Sequence, residues 1–135
     1  MQVIRCALSG SYRRDFRTLE RDYRELVANG CQILSPHRLD IVNPEEAFVK
    51  DGAEVDLSAY EIERHHLLAL RQADFLWLHC PNGYIGVSGA MEVGYALALG
   101  IPIFAKVQPN EVVFERQITI VPSVFMAIEM LRTKT

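Results

Sequence analysis

Apolar and polar positions switch repeatedly between the two-residue period of a strand and the 3.6-residue period of a helix along this chain. Gln2–Leu8 predicts a short strand ending at Ser9-Gly10-Ser11, and Phe16, Leu19, Tyr23, Leu26 and Val27 then recur at helical spacing until Asn29-Gly30. Cys31–Leu34 predicts a second strand closed by Ser35-Pro36, followed by a polar stretch from His37 to Ser58. That stretch is long for a connection in a small domain, and such loops are usually functional or mobile. Ala59–Gln72 has helical spacing. Phe75–Cys80 is a nearly unbroken apolar run, the pattern of a strand buried on both faces, and Pro81-Asn82-Gly83 ends it. Ala90–Leu99 predicts a helix that is apolar almost all round, with Gly100 as its stop and Ile101–Val107 as the next strand. Ile118–Val121 predicts a fifth strand, and Pro122 opens a last helix over Ser123–Arg132.

Strand and helix patterns alternate throughout, without repeats, low-complexity tracts or a dividing linker. The expectation is one domain over residues 1–135 of class α/β. It is a three-layer, flavodoxin/Rossmann-like fold with a mostly parallel five-stranded sheet and helices on both faces. Such sheets bind ligands outside the carboxyl ends of their strands. Function is therefore expected in the loops Ser9–Asp15, Ser35–Arg38 and Pro81–Ser88.

A chain of 135 residues buries roughly two thirds of its unfolded surface, so neither disulfides nor a structural metal is needed for stability. Fourteen Lys and Arg against seventeen Asp and Glu give a net charge of -3. That balance argues against a non-specific nucleic-acid binder but leaves room for a small anionic ligand. Cys6, Cys31 and Cys80 are an odd, scattered set and read as thiols of a reducing cytoplasm, the expected location. The first residues lack the basic start and apolar stretch of a signal peptide. The longest apolar stretch, Val93–Ala105, is broken by Gly94, Gly100 and Pro102 and is too short for a bilayer, so no membrane association is expected.

Glu92 carries the most chemical information. It follows Gly86-Val87-Ser88-Gly89-Ala90 at the start of an almost wholly apolar helix, where a carboxylate is costly unless used. Two readings fit. With Gly89 as N-cap, Glu92 is the third helical residue and favours the positive helix end. Alternatively, it stands at the mouth of a strand-end pocket as a nucleophile or base. Ser9-Gly10-Ser11-Tyr12-Arg13-Arg14, between strand and helix, offers N–H groups, hydroxyls and guanidinium groups suited to a phosphate. The same residues also suit an ordinary turn. The loop lacks the G-x-x-x-x-G-K-[ST] and G-x-G-x-x-G patterns. His37, His65, His66 and His79 have no metal-ligand spacing, so no metal is expected. His66, on the helix feeding the buried strand, and His37, at the end of the second strand, are the two placed to face a pocket.

The chain resembles the nucleoside 2-deoxyribosyltransferase-like superfamily and, within it, the 2′-deoxynucleoside 5′-monophosphate N-glycosidases. The segments that carry the resemblance are Leu8-Ser9-Gly10-Ser11-Tyr12-Arg13, Leu34-Ser35-Pro36-His37, Gln72-Ala73-Asp74 and Ala90–Ile103. The last of these contains Glu92-Val93-Gly94-Tyr95-Ala96 followed by Leu99-Gly100-Ile101-Pro102-Ile103. The resemblance implies that Glu92 attacks the anomeric carbon and expels the nucleobase, leaving a glycosyl ester that water or a second base resolves. It further implies that Gly10 to Arg13 hold the 5′-phosphate, that no cofactor is required, and that pockets are completed in a homodimer or larger homo-oligomer. Two positions depart from the family pattern. His66 stands where an aspartate is usual, and Gly86 stands where an Asp or Ser is usual, with Ser88 able to replace the latter if the loop is shifted.

The expected function is hydrolysis of the base–sugar bond of a small-molecule nucleotide. Glu92 and His66 would be catalytic, and Ser9, Gly10, Ser11, Tyr12, Arg13, His37, Gly86 and Ser88 would bind substrate. A non-catalytic nucleotide-sensing module and a base-exchanging deoxyribosyltransferase are the competing readings.

Overall fold

The structure is a computed structural model that describes residues 2–40, 50–52 and 54–133. Strand β1 (Arg5–Gly10) leads into α1 (Phe16–Ala28), and β2 (Gln32–Ser35) follows. Residues 41–49 and 53 of the polar connection after β2 lie outside the described residues. Helix α2 (Ala59–Leu70), β3 (Phe75–His79), α3 (Val87–Leu99), β4 (Ile103–Ala105), β5 (Thr119–Ile120) and α4 (Val124–Thr133) complete the chain.

The strands form one sheet in the order β2-β1-β3-β4-β5, and every pairing is parallel. Alternation within the strands divides the core. Cys6, Leu8, Phe75, Trp77 and Phe104 face α1 and α4, where they meet Leu19, Leu26, Val124 and Ile128. Ala7, Leu76, Leu78, Ile103 and Ala105 face α2 and α3, where they meet Leu70, Val93 and Ala96. The expected three-layer α/β architecture is therefore present, with a wholly rather than mostly parallel sheet. Cys6, Cys31 and Cys80 are buried free thiols. Among the described residues no helix is long and apolar enough to cross a membrane.

Several boundaries differ from the sequence expectation, each for a local reason. β1 runs from Arg5 through Gly10, so Ser9 and Gly10 are strand residues rather than loop. Gly10 has φ +128° and lies opposite His79; a Cβ there would run into the His79 carbonyl oxygen. Only glycine lets the ends of β1 and β3 approach this closely. α2 begins with a capping box, in which Ser58 and Glu61 satisfy each other's backbone N–H groups. β4 shrinks to Ile103–Ala105 because Gly100 closes α3 in a left-handed conformation and Pro102 has no N–H to give the sheet.

A buried polar cluster lies on the α1 side. Asp22, 2% exposed, accepts from Trp77 Nε1 at 3.2 Å and from Lys106 Nζ at 2.6 Å. This pairing ties α1 to the middle of β3 and to the residue that follows β4.

Candidate active site

A pocket of about 420 Å³ opens at the carboxyl ends of the strands. It lies between the segments that follow β1 and β3, where the chain order reverses across the sheet. Gly10 to Arg13 form one wall, with Ser35 and Pro36 after β2 beside them. Ile62, Glu63 and His66 of α2 form another, joined by Glu54. Tyr84, Gly86 to Gly89 and Glu92 complete it.

Glu92 sits on the core-facing stripe of α3 with Gly89, Val93 and Ala96, and is 6% exposed. The helix starts at Val87 with Gly86 as N-cap, so Glu92 is its sixth residue. This corrects the expected start at Ala90 and removes the capping reading, because Glu92 lies beyond the first turn. The N-cap Gly86 has no side chain with which to cap the helix, and the first turn of α3 itself lines the pocket. That leaves a positive helix end facing the cavity. The start of α1, by contrast, is occupied by Asp15, whose side chain accepts from Thr18 N.

His66 fills the corresponding inward stripe of α2 between Ile62 and Leu70, and is 5% exposed. Its Nε2 lies 3.3 Å from Glu92 Oε1 and 3.0 Å from Ser9 Oγ. Its Nδ1 lies 2.6 Å from Ser35 Oγ. Two hydroxyls, each able to donate or accept, thus hold the ring in place with Nε2 placed to donate to Glu92. Burial pushes the Glu92 carboxyl up, but the charge and hydrogen bond of His66, with hydrogen bonds from Glu63 and Ser9, outweigh it. The net effect holds Glu92 below the usual carboxylate range, so it is ionised at neutral pH.

Glu63 has the opposite character. Burial, the hydrogen bond with Glu92 and the charge of Glu92 push its carboxyl up to about 9. Its Oε2 is buried and meets no hydrogen-bond donor among the described residues. Glu63 is not among the residues expected from the sequence. The available signal was its spacing, one turn before His66 on the same helix, which puts the two side chains on one face.

The other expected residues are distributed as follows. Ser9 is fully buried behind His66 and does not line the pocket. Gly10, Ser11, Tyr12, Arg13, Gly86 and Ser88 do line it. Tyr12 donates its hydroxyl to the Leu8 carbonyl at 2.9 Å, and burial together with the charges of Glu92, Glu54 and Glu63 pushes the phenol up. Arg14 is outside the lining and stacks over the Tyr84 ring, with Cζ 3.7 Å from the ring centre. His79 Nε2 donates to the Arg14 carbonyl at 2.7 Å and so pins this turn to the end of β3. His37 is exposed and outside the lining; its carbonyl accepts from the Tyr23 hydroxyl at 3.0 Å. Among the described residues no three His, Cys, Asp or Glu side chains are grouped as metal ligands.

A buried, ionised carboxylate on a histidine, beside a protonated carboxyl in a strand-end cavity, is equipped for nucleophilic attack with proton transfer. No protein-family model matches the sequence, and no curated protein does. Solved structures do match. A conserved protein from Enterococcus faecalis V583 superposes with a TM-score of 0.62 at 15% identity, over 99% of this chain and 100% of that one. The CMP N-glycosidase BcmB of Clostridium botulinum superposes with a TM-score of 0.58 at 12% identity, over 97% and 99%. A 2-desoxiribosyltransferase from Leishmania mexicana gives 0.49 at 14% identity, over 90% and 76%. The alternation of strands and helices, the parallel sheet and the near-complete overlap with the first two of these structures agree: the chain shares their three-layer α/β fold.

Proposed function

We propose that this protein is an N-glycosidase that hydrolyses the base–sugar bond of a nucleoside 5′-monophosphate through Glu92. The observation that carries this reading is Glu92 itself, a buried carboxylate held ionised by His66 at the floor of a pocket large enough for a nucleotide. A carboxylate of this kind attacks an anomeric carbon through an oxocarbenium-like transition state. The likeness in fold to a CMP N-glycosidase supports the same class of substrate.

His66 touches Glu92 rather than the open cavity alone, so its part is to orient the nucleophile and hold it ionised. The 5′-phosphate is assigned to Ser11 and Arg13 together with the uncapped first turn of α3, where N–H groups and the helix dipole favour an anion. Ser88 and Gly86 lie on that turn, so the phosphate seat joins both expected segments. No cofactor enters this scheme. A cytoplasmic, homo-oligomeric enzyme is part of the same proposal. Exposed Val87 and Met91 on α3, next to the pocket rim, are the surface assigned to a second copy.

The test is incubation with a panel of ribo- and deoxynucleoside monophosphates and chromatography for free base. Base release from at least one of them is expected. Exchange with an added base would turn the reading to a transferase, and binding without release would turn it to a sensor.

A further inference from the structure

We propose that Glu63 is the general acid of this site, giving its proton to the departing base and later taking one from the attacking water. This rests on the reading of Glu92 as nucleophile. Three observations carry it.

The first is position. Glu63 lies one turn before His66 on α2 and lines the same cavity as Glu92, so a substrate that reaches Glu92 also reaches Glu63. The second is the uneven distribution of donors. His66 and Ser9 direct their hydrogen bonds to Glu92, whereas Glu63 Oε2 is buried without any donor among the described residues. Two neighbouring carboxyl groups cannot both be ionised cheaply in such a place. The group with donors therefore keeps the charge, and the group without them keeps the proton.

The third is chemical need. A nucleobase expelled without a proton leaves as an anion, so the C1′–N bond breaks slowly unless an acid stands by. While the pocket is empty, the Glu63 proton is spent on Glu92 and masks a lone pair of the nucleophile. A base nitrogen or carbonyl that accepts the proton frees Glu92 at the moment it must attack. The groups around this proton are Glu92 of α3, His66 of α2, Glu54 of the preceding segment, and Tyr12 and Arg13 after β1.

The steps balance. A Glu92 oxygen bonds to C1′, the C1′–N electron pair leaves with the base, and the proton passes from Glu63 to the base. Water oxygen then bonds to C1′ and gives a proton to the Glu63 carboxylate, and the ester electron pair returns to Glu92. The sum is nucleotide and water giving free base and sugar phosphate.

The experiment compares the unmodified protein with Glu63→Gln on two substrates in single-turnover mode. One is the best nucleoside monophosphate of the panel; the other carries 4-nitrophenolate in place of the base, a leaving group that departs without protonation. With the natural base, Glu63→Gln should be slower by on the order of 100-fold or more. The nitrophenolate burst should change by less than about threefold, because the attack itself is intact and the fold is thereby shown to be intact. Sugar phosphate should then accumulate as an ester in the variant. The unmodified protein should also lose base release as pH rises past about 9, where Glu63 ionises, and the variant should lack that fall. Equal rates on the natural base, or an equal loss on both substrates, would overturn the assignment to Glu63 alone. A panel in which the unmodified protein releases no base would overturn both this and the reading of Glu92.

Discussion

Replacing His66 with alanine tests the electrostatic core of the site without needing a known substrate. In the folded protein Glu92 is 6% exposed and owes its ionised state to the imidazole 3.3 Å away. Removing the hydrogen-bonding partner of a buried carboxylate costs about 3–5 kcal/mol, because the remaining charge is left buried. Losing the ring also takes the imidazole partner from the Ser35 hydroxyl and leaves Ser9 with Glu92. The pH dependence gives the sign. A carboxyl held below its unfolded value adds stability that is present above the unfolded value, about 4.3, and fades as pH falls through the folded value. With His66 gone, the two largest influences that hold the carboxyl down are lost, and burial moves it back up. The variant therefore loses stability that the ionised carboxyl contributes at the higher pH. Urea denaturation at about pH 5 and about pH 8 should therefore show a deficit against the unmodified protein that is largest at the higher pH and narrows at the lower. A deficit under about 1 kcal/mol, or the same at both pH values, would refute the claim that His66 keeps a buried carboxylate charged.

Other perturbations follow from the same geometry. Gly10→Ala should destabilise the protein by about 3 kcal/mol or more in thermal melts, since its Cβ meets the His79 carbonyl; an unchanged melting temperature would contradict the close strand approach. Lys106→Met should cost about 3 kcal/mol in denaturant, because Asp22 then stays buried without its ammonium partner while still accepting from Trp77; a change within about 0.5 kcal/mol would show that the ion pair is inert. Arg13→Ala should weaken binding of the preferred nucleotide by about tenfold or more and leave the matching nucleoside little affected; equal losses for both would remove Arg13 from the phosphate seat.

The fold was largely legible because its strongest signal is local. Phe75 to His79 is apolar on both faces, and the placing of Phe75 and Trp77 on one side and Leu76 and Leu78 on the other follows from the strand period. The start of α3 was not legible. Val87, Ser88 and Gly89 are poor helix formers, and Gly89 is helical where it packs near Gly10, with a Cβ position 3.7 Å from the Gly10 Cα. Only tertiary structure supplies that contact. Glu92 stood out because a carboxylate interrupts an apolar pattern. Glu63 did not, since it sits among Glu61, Arg64 and His65 on a helix whose polar residues read as solvent-facing. Its meaning arises from the approach of α2 to α3. Ser9, expected from the sequence to bind substrate, backs His66, because strand alternation turns its hydroxyl toward α2. His37 lies past the end of β2, where the chain has already turned outward.

The central claim is that Glu92 becomes covalently attached to sugar, and mass spectrometry of acid-quenched reactions addresses it directly. The unmodified protein, mixed with a nucleotide that it hydrolyses and quenched within one turnover, should carry the mass of one sugar phosphate on the peptide containing Glu92. Glu92→Gln should remain folded, carry no adduct and release no base. An adduct on another residue, or base release by Glu92→Gln at a rate close to that of the unmodified protein, would contradict the account.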